Sequence, residues 1–176
     1  MRLDEAAAEG LRRVILAGGT EQLTIDDLRA DEVAGLTWSG NPAHLRSVAA
    51  ALDRATQGLE YYLVVRAPGG EPVAKMRVDC TSEPGTAVFS QLATMDRLQG
   101  LGIATMLIKA AEQRARACGL ALAVLGVEDD NPRARRLYER LGYQPAGRQP
   151  ASWEYEDKDG VLRRHETTLT ILQKHL

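Results

Sequence analysis

Gln99-Gly100-Leu101-Gly102-Ile103-Ala104 is the stretch on which the reading of this chain turns. Upstream of it Ala87 to Thr94 reads as a strand. Downstream, Met106, Leu107 and Ala110 continue from Ile103 at helical spacing until Cys118-Gly119 stops the run. A strand, a glycine turn and a helix in that order make an anion site, because the first amide N–H groups of a helix have no acceptor within it and the peptide dipoles add positive potential there. Each such interaction is worth about 0.3 to 2 kcal/mol, so a diphosphate needs several converging amides. Gly100 to Thr105 can supply them. Taken alone, a G-x-G is equally well a plain strand-to-helix turn. A dinucleotide fold wants a third glycine where Thr105 stands, and the lysine-bearing P-loop pattern is absent.

Further out, Asn131-Pro132 announces a second helix, with a capping side chain before a proline at the first helical position. Ala134, Leu137, Tyr138 and Leu141 form its stripe and Gly142 stands at its C-cap. Between the two helices Ala121 to Val127 is an unbroken apolar run, expected to be a strand covered on both faces. Before the glycine turn, Glu60 to Arg66, Val73 to Asp79 and Ala87 to Thr94 form an antiparallel meander. In its second strand Lys75, Arg77 and Asp79 are predicted to share a wet face. Asn41-Pro42 starts an earlier helix through Leu45, Val48, Ala49 and Leu52. A first strand is expected at Gln22 to Ile25, then a short helical stretch at Asp31 to Leu36 and a polar loop at Thr37 to Gly40. Ser152 to Glu156 and Val161 to Leu172 complete a terminal hairpin.

The whole is one α/β domain over residues 21–176, behind an Ala- and Glu-rich leader, residues 1–20, that is expected to be loosely attached. With 44% hydrophobic residues the chain can bury a core, and 22 basic against 24 acidic side chains favour neither nucleic acid nor an anionic membrane. No apolar run approaches the roughly 20 residues of a membrane span, and no secretory h-region is present. Cys80 and Cys118 are expected to be buried, reduced thiols, which with the missing signal points to the cytoplasm. His44, His165 and His175 lack metal-ligand spacing and read as ordinary surface or hydrogen-bonded residues.

The glycine turn resembles the Q/R-x-x-G-x-G/A signature of the GNAT acetyltransferases, with Ala104 at its small last position. Residues 131–143, Asn131-Pro132-Arg133-Ala134-Arg135-Arg136-Leu137-Tyr138-Glu139-Arg140-Leu141-Gly142-Tyr143, resemble that family's second motif, N-x-x-A-x-x-L-Y-x-x-x-G-F/Y. The likeness in element order covers roughly residues 22–172, with residues 87–143 carrying the motifs. It implies the GNAT fold, a mixed central sheet of six to seven strands flanked by about four helices. It also implies acetyl-CoA as co-substrate, without a metal. Backbone groups of Leu92, Ala93 and Thr94 would then take the pantetheine arm and the acetyl group. Gln99, Gly100, Leu101, Gly102, Ile103, Ala104 and Thr105 would take the pyrophosphate, and Asn131 and Tyr138 would also touch the cofactor.

The implied reaction is direct attack of a neutral amine on the thioester. It needs an oxyanion donor, a proton acceptor for the amine and a proton donor for the leaving thiolate. An amide between Ala93 and Met95 suits the first task if the strand splays there. Tyr138 is the implied donor to the thiolate, although on a helix stripe it is also a natural core tyrosine. The ribosomal-protein N-terminal acetyltransferases, which resemble this chain around both motifs, carry their basic glutamate at the position of Gly126. Glu128, two residues on and on the same strand face, is either a base acting through a water or a solvated strand-end carboxylate, with Asp79 and Asp96 as rivals, and an amine of low pKa needs no protein base at all. Arg133, Arg136, Arg140 and Arg97 are expected to be mostly solvated, with some reaching nucleotide phosphates. Trp38, Trp153, Glu154, Tyr155 and Glu156 are candidate walls for the acceptor, and acidic groups there suit a cationic amine.

A primary amine of a small metabolite is the expected acceptor, with a protein or peptide amine as the alternative. Two other classes compete: a sensor that binds acyl-CoA without turnover, and an interaction module that binds no cofactor. Homodimers are common among similar proteins.

Overall fold

The computed structural model describes Arg12, Arg13, Ile15 and residues 23–58, 60–157 and 159–176. Most of the expected leader, and Gln22 of the expected first strand, lie outside these residues. Ile15 is buried in the main core, and Arg12 donates from Nη1 to the Arg97 carbonyl at 2.9 Å.

Among the described residues seven strands form one sheet: β1 (Thr24–Asp27), β2 (Glu60–Arg66), β3 (Pro72–Glu83), β4 (Thr86–Thr94), β5 (Leu122–Glu128), β6 (Gln144–Glu156) and β7 (Leu162–His175). Their order is β1-β2-β3-β4-β5-β7-β6, and every neighbouring pair is antiparallel except β4 and β5. That parallel pair needs a crossover, which α2 (Ile103–Ala117) supplies. A ten-residue 3-10 helix, Ala30–Ser39, precedes α1 (Pro42–Ala55), and α3 (Pro132–Arg140) follows β5. The Asn41 and Asn131 side chains accept from the amides of His44 at 2.9 Å and Ala134 at 3.0 Å, so both expected caps form, each with proline at the first helical position.

Strand alternation divides the core. Leu63 and Val65 of β2 and Ala74, Met76 and Val78 of β3 join the large cluster with Leu107, Ile108 and Ala111 of α2. Tyr62 and Val64 face the other way, onto Leu36 of the 3-10 helix and Val48 and Ala51 of α1. This second layer overturns the wet face expected of β3: Lys75 has no exposed surface and Asp79 is 8% exposed. Alternation correctly put Lys75 opposite Met76, but α1 and the 3-10 helix cover that face too. The loop expected at Thr37 to Gly40 is helical through Ser39 because Leu36 is pulled into the same layer.

β5 corrects another expectation. Ala123, Leu125 and Val127 are buried, whereas Val124 and Glu128 are half-buried and Gly126 is exposed, so one face is packed and the other opens to a cavity. β6 begins earlier than expected, despite Pro145 and Pro150, because as the outer strand it has one edge that needs no ladder donors.

Candidate active site

β4 carries an irregularity. Lys75 pairs with Ala93 and Arg77 with Ser90, so Gln91 and Leu92 together oppose Met76, and Gln91 takes the left-handed φ of 55°. Just before this bulge β4 stops pairing with β5: the last partners are Phe89 and Leu125, although both strands run on. A crevice opens where they part. The Met95 amide donates to the Val73 carbonyl at 2.9 Å, which removes it from the expected oxyanion donors. By strand alternation the Ala93 amide also faces β3, leaving that of Thr94 turned toward the crevice.

The glycine turn closes one end of the crevice. Gly100 and Gly102 have φ of 79° and 82°, and a Cβ at Gly102 would meet nothing within 4 Å. The first helical amide bonded within α2 is that of Met106, to the Gly102 carbonyl, so Ile103, Ala104 and Thr105 present their N–H groups outward. Gln99 braces the turn: Nε2 donates to the Thr94 carbonyl at 3.3 Å and to Asp96 Oδ1 at 3.0 Å. Arg133 Nη1 donates to Gln99 Oε1 at 2.9 Å, and Arg133 Nη2 would lie 3.6 Å from a Cβ at Gly100, so this cation reaches the glycines. The corner is a cavity of about 590 Å³ lined by the glycine turn, Leu92, Ala93, Thr94 and Asn131. Trp38 lines it too, placing that ring at the corner and not on the acceptor side. Leu101 is half-buried and packs against the core.

A second cavity of about 880 Å³ lies on the other side of the crevice. Tyr138 lines it while being 7% exposed, and its hydroxyl has no hydrogen-bond partner among the described residues. Burial raises its pKa to about 12, so it is a phenol, not a phenolate, at neutral pH. Its ring meets Tyr143 edge-on at 6.0 Å. Glu128 stands across the cavity and its Oε2 lies 2.8 Å from His165 Nε2. The His165 ring lies 4.7 Å from that of Trp153, and Trp153, Glu154 and Tyr155 complete this wall. At Gly126 a Cβ would stand 2.9 Å from Leu169 Cδ1, so Leu169 fills the room a glutamate would need.

The rival carboxylates are otherwise engaged. Burial pushes the Asp79 pKa up, but hydrogen bonds from the Thr81 and Ser82 amides and the Arg77 charge outweigh it and hold the group below the ordinary carboxylate value. Asp96 accepts from Gln99 at the turn. Arg133, Arg136 and Arg140 are all exposed, and of the three Arg133 and Arg140 line the corner cavity.

His44 and His165 are both hydrogen-bonded, one of the two readings expected of them. His44 Nε2 lies 2.9 Å from Lys75 Nζ, which also donates to Tyr62 Oη at 3.0 Å and to the Gln91 carbonyl at 3.2 Å. Burial, then the Lys75 charge, lowers the His44 pKa to about 4, and burial lowers that of Lys75 to about 8. His44 carried a legible signal, since it precedes Val48 and Ala51 by four and seven residues and so shares their inward face. Lys75 carried none. Cys118 is exposed and not buried as expected, because it caps the end of α2, whereas Cys80 is half-buried; both are free. Among the described residues no three His, Cys, Asp or Glu side chains converge as metal ligands.

Several solved structures share this architecture. Spermidine N-acetyltransferase SpeG of Vibrio cholerae, in a point-mutant form, superposes with a TM-score of 0.68 at 16% identity, over 88% of this chain and 94% of the other. The ribosomal-protein-S18-alanine N-acetyltransferase of Escherichia coli gives 0.67 at 18%, over 87% and 93%. The yncA protein of Salmonella typhimurium, solved with its cofactor acetyl-CoA, gives 0.67 at 23%, over 88% and 94%. No curated protein matches the chain significantly by sequence. The profile of the Acetyltransferase (GNAT) family matches residues 25–143, which include β4, the glycine turn, α2 and the Asn131-to-Tyr143 motif. The chain belongs to the acetyltransferase (GNAT) family and is an acyl-CoA-dependent N-acetyltransferase.

Proposed function

We propose that the protein transfers the acetyl group of acetyl-CoA to a primary amine of a small metabolite, by direct attack within a ternary complex. The observation that carries this reading is the crevice between β4 and β5, which joins a corner of outward amides to a separate cavity bounded by Tyr138, Glu128 and Trp153. The pyrophosphate lies on the amides of Gly100 to Thr105, with Gln99 bracing the turn and Arg133 adding charge. The pantetheine arm and acetyl group follow Leu92, Ala93 and Thr94, and Asn131 borders the arm.

An acceptor entering from the Trp153 side meets Glu128, Glu154 and two exposed aromatic rings, a setting that suits an ammonium ion before it loses its proton. The Thr94 amide faces the developing oxyanion, and Tyr138 delivers its proton to the departing thiolate. Glu128, held by His165, is one side-chain base available to this scheme. A protein or peptide amine is the alternative acceptor, and Gly126, standing where the ribosomal-protein enzymes carry their glutamate, counts against an identical chemistry. A cytoplasmic setting suits two free thiols. We take residues 21–176 as the catalytic domain behind the leader, and the open edge of β6 as the surface on which a second copy would pair.

CoA-thiol release across small amines, polyamines, amino acids and peptide N-termini tests this reading. Heat denaturation with and without acetyl-CoA accompanies it, because ligand at 100 times its Kd adds about 2.7 kcal/mol. A thermal shift with release for small amines is expected. A shift without release from any amine means a sensor, and no shift means an interaction module.

A further inference from the structure

The attacking nitrogen must lose a proton, and Glu128 is not alone at the acceptor cavity in being able to start that transfer. A second route for this proton, which rests on the acetyl-transfer reading above, begins on the opposite wall. Lys75 is fully buried, with Nζ 2.9 Å from His44 Nε2, 3.0 Å from Tyr62 Oη and 3.2 Å from the Gln91 carbonyl oxygen. Tyr62 donates its own proton to Gln91 Oε1 at 2.7 Å, so toward Lys75 it is an acceptor. An ammonium at Lys75 therefore has three donors for three acceptors, with the His44 proton on Nδ1. A neutral Lys75 has two donors, for Tyr62 Oη and the Gln91 carbonyl, and one lone pair. That lone pair is satisfied once the His44 proton sits on Nε2.

Lys75 is thus fully hydrogen-bonded in both protonation states with the same heavy-atom positions, and the tautomer of His44 changes with it. His44 also lines the acceptor cavity, and its Nδ1 has no partner among the described residues. The ring has its place because residue 40 is glycine: a Cβ there would come within 2.6 Å of His44 Cδ2.

We propose that His44 and Lys75 form a proton relay for the acceptor amine, with His44 as the catalytic base and Lys75 holding the proton behind it. As the C–N bond forms, His44 Nδ1 takes the proton of the attacking nitrogen while Nε2–H passes to neutral Lys75. The tetrahedral intermediate then expels the thiolate, whose sulfur keeps the C–S electron pair and takes the Tyr138 proton. Between turnovers the Lys75 proton returns through His44 to solvent and Tyr138 is reprotonated. Gln91 links this store to the reaction, since its carbonyl is one of the three acceptors and its left-handed backbone makes the β4 bulge.

The relay requires neutral Lys75, whose pKa burial lowers to about 8, so the rate should climb with pH through that value. Facing Lys75 are His44 from α1 and Tyr62 from β2, with the Glu60–Arg77 pair along the same face; Glu83, Glu128 and Glu154 line the cavity His44 borders. The test measures kcat/KM against pH with the least basic primary amine the full-length protein accepts, so that the acceptor stays neutral throughout. The native protein should show a rising limb with a midpoint near pH 8. His44→Gln and Lys75→Met should each lose about 100-fold or more in kcat and abolish the limb, while KM for acetyl-CoA and the acetyl-CoA thermal shift stay unchanged.

Should Lys75→Met fail to fold, His44→Gln carries the test, and Gly40→Ala, which displaces the same ring, must reproduce its loss of rate. Native rate and limb in His44→Gln, or a limb that vanishes only in Glu128→Gln, overturns the relay and leaves acetyl transfer standing. A native protein that binds acetyl-CoA but releases no CoA with any amine takes down both.

Discussion

Tyr138→Phe removes one oxygen from the centre of the site, and the surroundings of that oxygen set the size of every effect. The ring is packed in the main core against Tyr143, and the phenylalanine ring keeps that packing. The hydroxyl has no partner among the described residues, so stability at neutral pH should change by no more than about 0.5 kcal/mol, as for a substitution that breaks no buried bond. At alkaline pH the balance changes. The pKa is 10 for the ordinary phenol and about 12 here, raised by burial, so the unfolded chain ionises first and folded-state stability falls as pH rises past 10. By pH 11 that difference is worth about 1.4 kcal/mol, which the phenylalanine variant does not lose.

Turnover should fall by about 100- to 10,000-fold through loss of the general acid, with the acetyl-CoA thermal shift retained. Stopped assays of CoA release, read beside urea unfolding at pH 7 and pH 11, give all three quantities. Native turnover in the variant refutes the acid role. A loss of rate accompanied by loss of acetyl-CoA binding shows that the hydroxyl holds the cofactor and does not act solely as its acid.

Other perturbations draw on the same contacts. Glu112 is 4% exposed and accepts from Tyr143 Oη at 3.1 Å and Lys174 Nζ at 2.8 Å, so Glu112→Ala strands two donors and should cost about 3 kcal/mol of unfolding free energy, read by urea denaturation, without altering KM. Gly102→Ala meets no atom within 4 Å, so its cost of about 1 to 2 kcal/mol is the left-handed backbone alone. It should also shrink the thermal shift given by acetyl-CoA; an undiminished shift would place the diphosphate elsewhere. Gly126→Glu drives its Cβ into Leu169 and should destabilise by about 1 to 3 kcal/mol, and adding Leu169→Ala should recover most of that loss. Absence of recovery would show that the backbone, not Leu169, excludes a side chain there.

Some of this architecture was legible because it is written in short range. The glycine turn announces itself through positions that need positive φ, and Asn41-Pro42 and Asn131-Pro132 announce helices through a capping side chain beside a proline, so α1, α2 and α3 start where expected. β2 was bounded correctly because its apolar run is flanked by turn residues on one side. Reading failed where a second layer intervened. Lys75 looked solvated because a lysine alternates with apolar neighbours there, and nothing in β3 says that α1 will cover it. β6 runs on from Gln144 through Pro145 and Pro150, strand breakers that only an edge tolerates, and edge position belongs to the sheet.

The sequence by itself determined the corner of free amides and the helix that carries Tyr138, since both depend on backbone conformations that a few adjacent residues dictate. Tertiary structure alone decided the acceptor side. Glu128 meets His165 across 37 residues of chain, Lys75 meets His44 across 31, and the crevice exists because β4 and β5 cease to pair after Phe89 and Leu125. Such pairings depend on which surfaces the folded sheet brings face to face, and that is a property of the assembled layers with no counterpart in any local run of residues.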